Sequence, residues 1–182
     1  MHPGRRSVRL KEFDYSKAGA YFVTICTKDR ECLFGEIIDE KVRLTQGGRI
    51  ADEGWRNIPE HYPHVVLDEY VIMTNHVHGV IFISDDDVGV QNFEPLPVDG
   101  LRENKYQQII PKSIGSIVRG FKIGVTKWYR QNTDVHTAWQ RNYFDRIIRD
   151  EDESNGIREY IIFNPAKWAE DTENPQSLRA VK

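Results

Sequence analysis

The stretch "HVVLDEYVIMTNHVHGVIFIS", residues 64–84, decides how the chain is read. Its β-branched and aromatic residues fall into two runs, 65–73 and 77–83, divided by Thr74-Asn75, which is the pattern of two strands joined by a turn. Alternate residues of a strand point the same way, so His76 and His78 can present both imidazoles to one face. Two neutral imidazoles so placed can share a divalent ion if a further ligand completes the set. The plainer alternative leaves one histidine exposed and the other hydrogen-bonded in the turn.

Working outward toward the N-terminus, "AYFVTICTK" (20–28) reads as a strand and "EIIDEKVRLT" as a short hairpin turning at Asp39-Glu40. In "TQGGRIADEGWRNIPEHYP", Ile50, Gly54 and Ile58 share a helical stripe beside Trp55. Thr45 supplies an N-cap, and Pro59 and Pro63 close the helix. Toward the C-terminus, residues 84–111 lose all periodicity and read as a variable, mobile insertion within a single domain spanning 1–182. "KSIGSIVRGFKIGVTKWYRQ" (112–131) then spaces Ile114, Ile117, Val118, Phe121, Val125 and Trp128 as a helix. Residues 137–150 read as partly extended and partly helical. Asp150 with Glu153 marks the start of a last helix, and Asn164-Pro165 its end. Strands, hairpin and helices in this order define an α+β chain: an antiparallel sheet with helices packed on one face.

The formal charge of −3 hides an asymmetry. Residues 84–111 carry six acids against two bases, whereas 112–149 carry eight bases against two acids. Such a basic block either binds a polyanion or is a solvated helix face. No apolar run approaches the ~18 residues of a membrane helix. The charged start "MHPGRRSVRLKEF" lacks the apolar core of a secretory signal. Cys26 and Cys32 read as reduced thiols of a cytoplasmic protein.

The last helix adds chemistry. Tyr160 and Asn164 stand at i and i+4, a phenol one turn from an amide oxygen. Asn164 can ligate a hard metal or satisfy carbonyls at the helix end. Taken in order, "NHVHGVI", "GFK…VTKW", "WQRNYFDRIIRDEDESNGIREYIIFNPAKW" and the "REYI..NP" ending resemble the single-tyrosine HUH transposases of insertion sequences, most closely the REP-associated branch. The resemblance spans about residues 10–170 apart from the variable stretch.

That resemblance implies a ferredoxin-like (RRM-like) HUH fold and a cut-and-rejoin reaction on single-stranded DNA near hairpins. Tyr160 would be the nucleophile, passing through a 5′-phosphotyrosine link. His76 and His78 would ligate Mg2+ or Mn2+, and Asn164 falls where some members place a third polar ligand. Tyr143, beside Phe144, is the competing tyrosine but lacks an i+4 amide. Phe163 stands where related sequences often carry a polar residue. Arg119, Lys122, Lys127, Arg130, Arg141 and Arg146 are the candidate contacts to DNA phosphates. Trp128, Tyr129, Trp139 and Tyr143 interleave with them as stacking or core residues. The basic "RRSVRL" could reach into a hairpin groove or be a frayed end.

A monomer is favoured over a homodimer, since the REP-associated branch tends to be monomeric. The alternative function is a domesticated hairpin-binding regulator that keeps the fold without cutting. A nucleotide hydrolase with a His-x-His-x-His cluster would need histidine at position 80, where the chain has Val80. A purely structural protein with an incidental His-x-His would be indifferent to loss of the Tyr160 hydroxyl.

Overall fold

The computed structural model describes residues 18–84 and 111–175. The basic "RRSVRL" arm and nearly all of the 84–111 insertion lie outside the described residues. Six strands and four helices follow in order: β1 (Gly19–Cys26), β2 (Gly35–Ile38), β3 (Lys41–Leu44), α1 (Gln46–Arg56), α2 (Ile58–His61), β4 (Val65–Ile72), β5 (His76–Ile83), α3 (Ile114–Asn132), β6 (Phe144–Ile148) and α4 (Glu151–Phe163). Four strands form an antiparallel sheet in the order β4-β5-β1-β6, and β2-β3 stand apart as a hairpin. With that hairpin set aside, the order β-α-β-β-α-β on an antiparallel sheet is the ferredoxin-like plan. The α+β class read from the sequence is what the chain adopts.

Local chemistry sets the boundaries. Asp39 and Glu40 both take positive φ, 48° and 60°, which gives the two-residue turn the twist that its flanking strands require. The Thr45 hydroxyl accepts from Gly48 N at 3.0 Å and starts α1. Asp150 accepts from Glu153 N at 2.8 Å, while the Glu153 carboxylate takes the Arg149 N–H at 2.9 Å.

The pleat divides the sheet into two faces. Tyr21, Val23 and Ile25 of β1 join Val77 and Ile81 of β5 in the main core, covered by Ala51 and Trp55 of α1 and by Ile117, Phe121 and Val125 of α3. Phe22 and Val80 point the other way and form a smaller core with Ile148 and with Ile157 and Ile161 of α4. Thus α1 and α3 share one face as the sequence indicated, while α4 lies on the opposite face. Along α1 the buried residues are Gly47, Gly48, Ala51 and Trp55, with Ile50 and Gly54 on the flank.

Gly79 marks where helix and sheet come closest. A Cβ added there would lie 2.2 Å from Cζ2 of Trp55, whose side chain is fully buried. Even alanine must push the indole aside. Gly79→Ala is therefore expected to destabilise the fold by about 3 kcal/mol, read as a lower denaturant midpoint with an unchanged slope. A midpoint equal to wild type would show that Trp55 is loosely held.

Candidate active site

His76 and His78 both belong to β5, opposite Cys26 and Thr24 of β1 in the register, so their imidazoles share the face that α4 covers. The preceding turn is locked. Met73 N donates to His76 O, Thr27 N to Asn75 O and Phe34 N to Thr74 O, at 2.8, 2.8 and 2.9 Å. Phe22 stacks on the His78 ring at a centroid distance of 5.4 Å, and Trp168 lies 6.0 Å from that of His76. Both histidines are buried.

The inner nitrogens of the two rings are held from behind. His76 Nδ1 lies 2.8 Å from Asn75 Oδ1, and the Asn75 amide group itself donates to the carbonyls of Arg30 and Glu173. An amide oxygen only accepts, so His76 carries its proton on Nδ1 and turns the Nε2 lone pair into the site. His78 Nδ1 lies 2.9 Å from Thr24 Oγ1, and its Nε2 meets the Tyr160 hydroxyl at 3.1 Å. Rings held at one nitrogen with the other facing inward are the usual arrangement of metal-binding histidines.

The segment after α4 completes the site. Asp171 is buried, with Oδ2 3.9 Å from His76 Nε2. One ligand atom each from His76, His78 and Asp171 lie within 4.8 Å of one another. The Asn164 amide group donates to Asp171 Oδ2 at 2.9 Å, and Glu173 N donates to Asp171 Oδ1. Arg30 closes the bottom with a 2.7 Å bond to the buried Glu173 carboxylate.

Two buried acceptors in this site, His76 Nε2 and Asn164 Oδ1, have no hydrogen-bond partner among the described residues. Burial pulls the His76 pKa down to about 4, against the upward pull of Asp171, Glu173 and the Asn164 side chain. At neutral pH the ring is uncharged, and its lone pair is open to a cation. Imidazole, carboxylate and amide oxygen suit a divalent ion. The residues present therefore fit a metal.

Asp171 and Asn75 were not legible as site residues. Asn75 was read only as a turn residue. Asp171 sits in "AEDTENP", an acidic run with no periodicity to set one carboxylate apart. Tyr143 packs against the main core, across the sheet from the histidines. Tyr160, by contrast, is 46% exposed at the rim.

The basic candidates separate into two kinds. Arg119, Lys127 and Arg141 are exposed. The other three already have protein partners. Lys122 donates to the carbonyls of Gln140 and Asn142 at 2.7 and 3.2 Å, and burial lowers its pKa to about 8. Arg130 donates to His136 O at 2.8 Å, and Arg146 pairs with Glu153. Arg119, Lys127 and Arg130 ride on α3, behind the sheet as seen from the histidines. Tyr129 and Trp139 are core residues, and Trp128 packs partly buried against that core.

A central strand offering His-hydrophobic-His, and a helix tyrosine meeting the second histidine on the same face, form the arrangement that the resemblance to single-tyrosine HUH transposases implied. The chain is 46% identical over 167 residues to an uncharacterized protein of Haemophilus influenzae, covering 92% of this chain and 91% of that relative. It is 26% identical over 154 residues to a "putative REP-associated tyrosine transposase" of the same organism, covering 85% of this chain and 74% of that one. Its fold matches a solved REP-associated tyrosine transposase bound to a REP hairpin, with a TM-score of 0.58 at 17% identity, over 88% of this chain and 74% of that chain. No family model matches. The chain belongs to one family with the first relative, and it is similar in sequence and in fold to REP-associated tyrosine transposases.

Proposed function

We propose that this chain is a metal-dependent transesterase that cuts and rejoins single-stranded DNA beside hairpins. The observation that carries the reading is the Tyr160 hydroxyl, half exposed, 3.1 Å from His78 Nε2 at the edge of the buried His76–His78–Asp171 cluster. The Tyr160 oxygen attacks the scissile phosphorus as the bond to the 3′ oxygen breaks. The phenol gives up its proton and the departing 3′ oxygen gains one. The products are a 5′-phosphotyrosine and a free 3′-hydroxyl. One phosphodiester replaces another, so a 3′-hydroxyl can reverse the step and rejoin strands.

His76, His78 and Asp171 would hold Mg2+ or Mn2+, with the Asn164 oxygen as a further donor. The ion would supply Lewis-acid stabilisation and a template for the phosphate oxygens. Asn75 and Thr24 keep the two rings in register for it. Arg141 and, on the far side of the sheet from the histidines, Arg119 and Lys127 are exposed cations that would take phosphates of the DNA away from the scissile bond. The protein acts as a monomer in the cytoplasm. In support, edge strand β4 is broken by a bulge between Leu67 and Tyr70, and its Asp68 is engaged by Arg158, which discourages pairing edge to edge.

The test uses hairpin-bearing single strands labelled at one end or the other and incubated with Mn2+. The 3′-end label should migrate with the protein, while the 5′-end label should leave on a fragment ending in a 3′-hydroxyl. The opposite partition would overturn the polarity, and label released without transfer would overturn the covalent step.

A further inference from the structure

The rim of the site carries an aromatic side chain for which the reaction above has no use. Phe163 is 53% exposed, although it stands only one turn beyond Tyr160 on α4. Ile157 and Ile161 anchor that helix to the sheet, so Phe163 adds nothing to the core beneath. The backbone keeps its helical course past the end of α4. Lys167 N donates to Phe163 O at 3.1 Å, which sets the exposed Lys167 one further turn along the same stripe. On the other side, Gly156 leaves open space, with nothing within 4 Å of an added Cβ. Gly156, Tyr160, Phe163 and Lys167 thus form a line of gap, phenol, aromatic plane and cation.

Spacing and chemistry together fit one ligand. In a single strand, each sugar-phosphate carries one base that is free to leave the stack. Any base has a π-face for a phenyl ring, and the next phosphate needs a cation. We propose that Phe163 is the platform for the unpaired base flanking the phosphodiester that Tyr160 attacks, and that Lys167 holds the neighbouring phosphate. This rests on the single-stranded DNA reading and adds a binding subsite to it. Ile162, 55% exposed on the adjoining stripe, provides a matched apolar control.

The experiment measures binding of short single-stranded oligonucleotides in metal-free buffer, where no cleavage intervenes. Phe163→Ala should weaken binding about tenfold, within the range known for one base stacked on an aromatic side chain. Phe163→Trp should bind as well as wild type, Phe163→Leu should recover little, and Ile162→Ala should change nothing. The dependence on salt should be the same for Phe163→Ala as for wild type, because no charge is lost, and shallower for Lys167→Ala. An abasic position at the stacked base should cost affinity in wild type and not in Phe163→Ala.

Equal binding by wild type and Phe163→Ala would overturn the subsite while leaving the DNA reading intact. So would full recovery by leucine, or an equal loss from Ile162→Ala. A wild-type protein that binds no single strand would overturn the DNA reading, and the subsite with it.

Discussion

Tyr160→Phe is expected to lower DNA cleavage by a factor on the order of 10,000 or more, because a covalent route without its nucleophile has no substitute in the site. Tyr143, the other tyrosine with a claim, packs behind the sheet and cannot stand in. The fold should be untouched. Tyr160 is nearly half exposed, and its ring, not its hydroxyl, makes the edge-on approaches to Phe22 and His78. The variant should therefore melt with wild type and bind single-stranded DNA with similar affinity. It should also bind Mn2+ slightly more tightly, because the phenol no longer competes for His78 Nε2. Residual cleavage within about tenfold of wild type would show that the phenol only lines the site.

The second large effect belongs to His76. Removing its ring with His76→Ala takes away a buried lone pair, at Nε2, that has no hydrogen-bond partner among the described residues. Loss of a residue that only orients a ligand can cost about 10–100-fold in metal affinity, so loss of the ligand itself should weaken Mn2+ binding by about 100-fold or more. Cleavage should fall with it, and titration calorimetry of the metal alone separates the two readouts.

The same residue gives stability a pH signature. In the unfolded chain the ring takes up a proton near its ordinary pKa of 6.5, but in the folded chain only near 4. Between those values the unfolded state holds the extra proton. Stability is therefore complete above the upper value, is lost progressively as pH falls through the window, and loses nothing more from this group below it. Melting wild type and His76→Ala across that range checks the sign: the metal-free wild type should lose midpoint more steeply. Parallel curves would mean that His76 is not held neutral.

Much of this was written locally in the chain. The caps at Thr45 and Asp150 and the turn at Asp39-Glu40 depend on residues within four positions of each other. Strand alternation alone put His76 and His78 on one face. What stayed hidden depends on contacts across long separations. Asn75 meets Glu173 across 98 positions and thereby brings in Asp171, which no spacing rule connects to a histidine pair. Lys122 read as a free cation because nothing local says that the carbonyls of Gln140 and Asn142 will arrive at its ammonium.

The side on which α4 packs was equally out of reach. Its apolar contact with the sheet is Ile157 and Ile161, while Ile162 and Phe163 face solvent, so periodicity marks a helix without naming the face of the sheet it covers. That placement is what carries Tyr160 to His78.

The measurement that bears most directly on the central claim is the site of covalent attachment. Hairpin-bearing single-stranded DNA is incubated with the protein and Mn2+ or Mg2+, the adduct is isolated on a denaturing gel, and its peptides are mapped by mass spectrometry. The account predicts a nucleotide phosphate on Tyr160 in wild type and no adduct in Tyr160→Phe. Attachment at another residue, or tight hairpin binding with no adduct in either metal, would contradict it and favour a DNA-binding protein that no longer cuts.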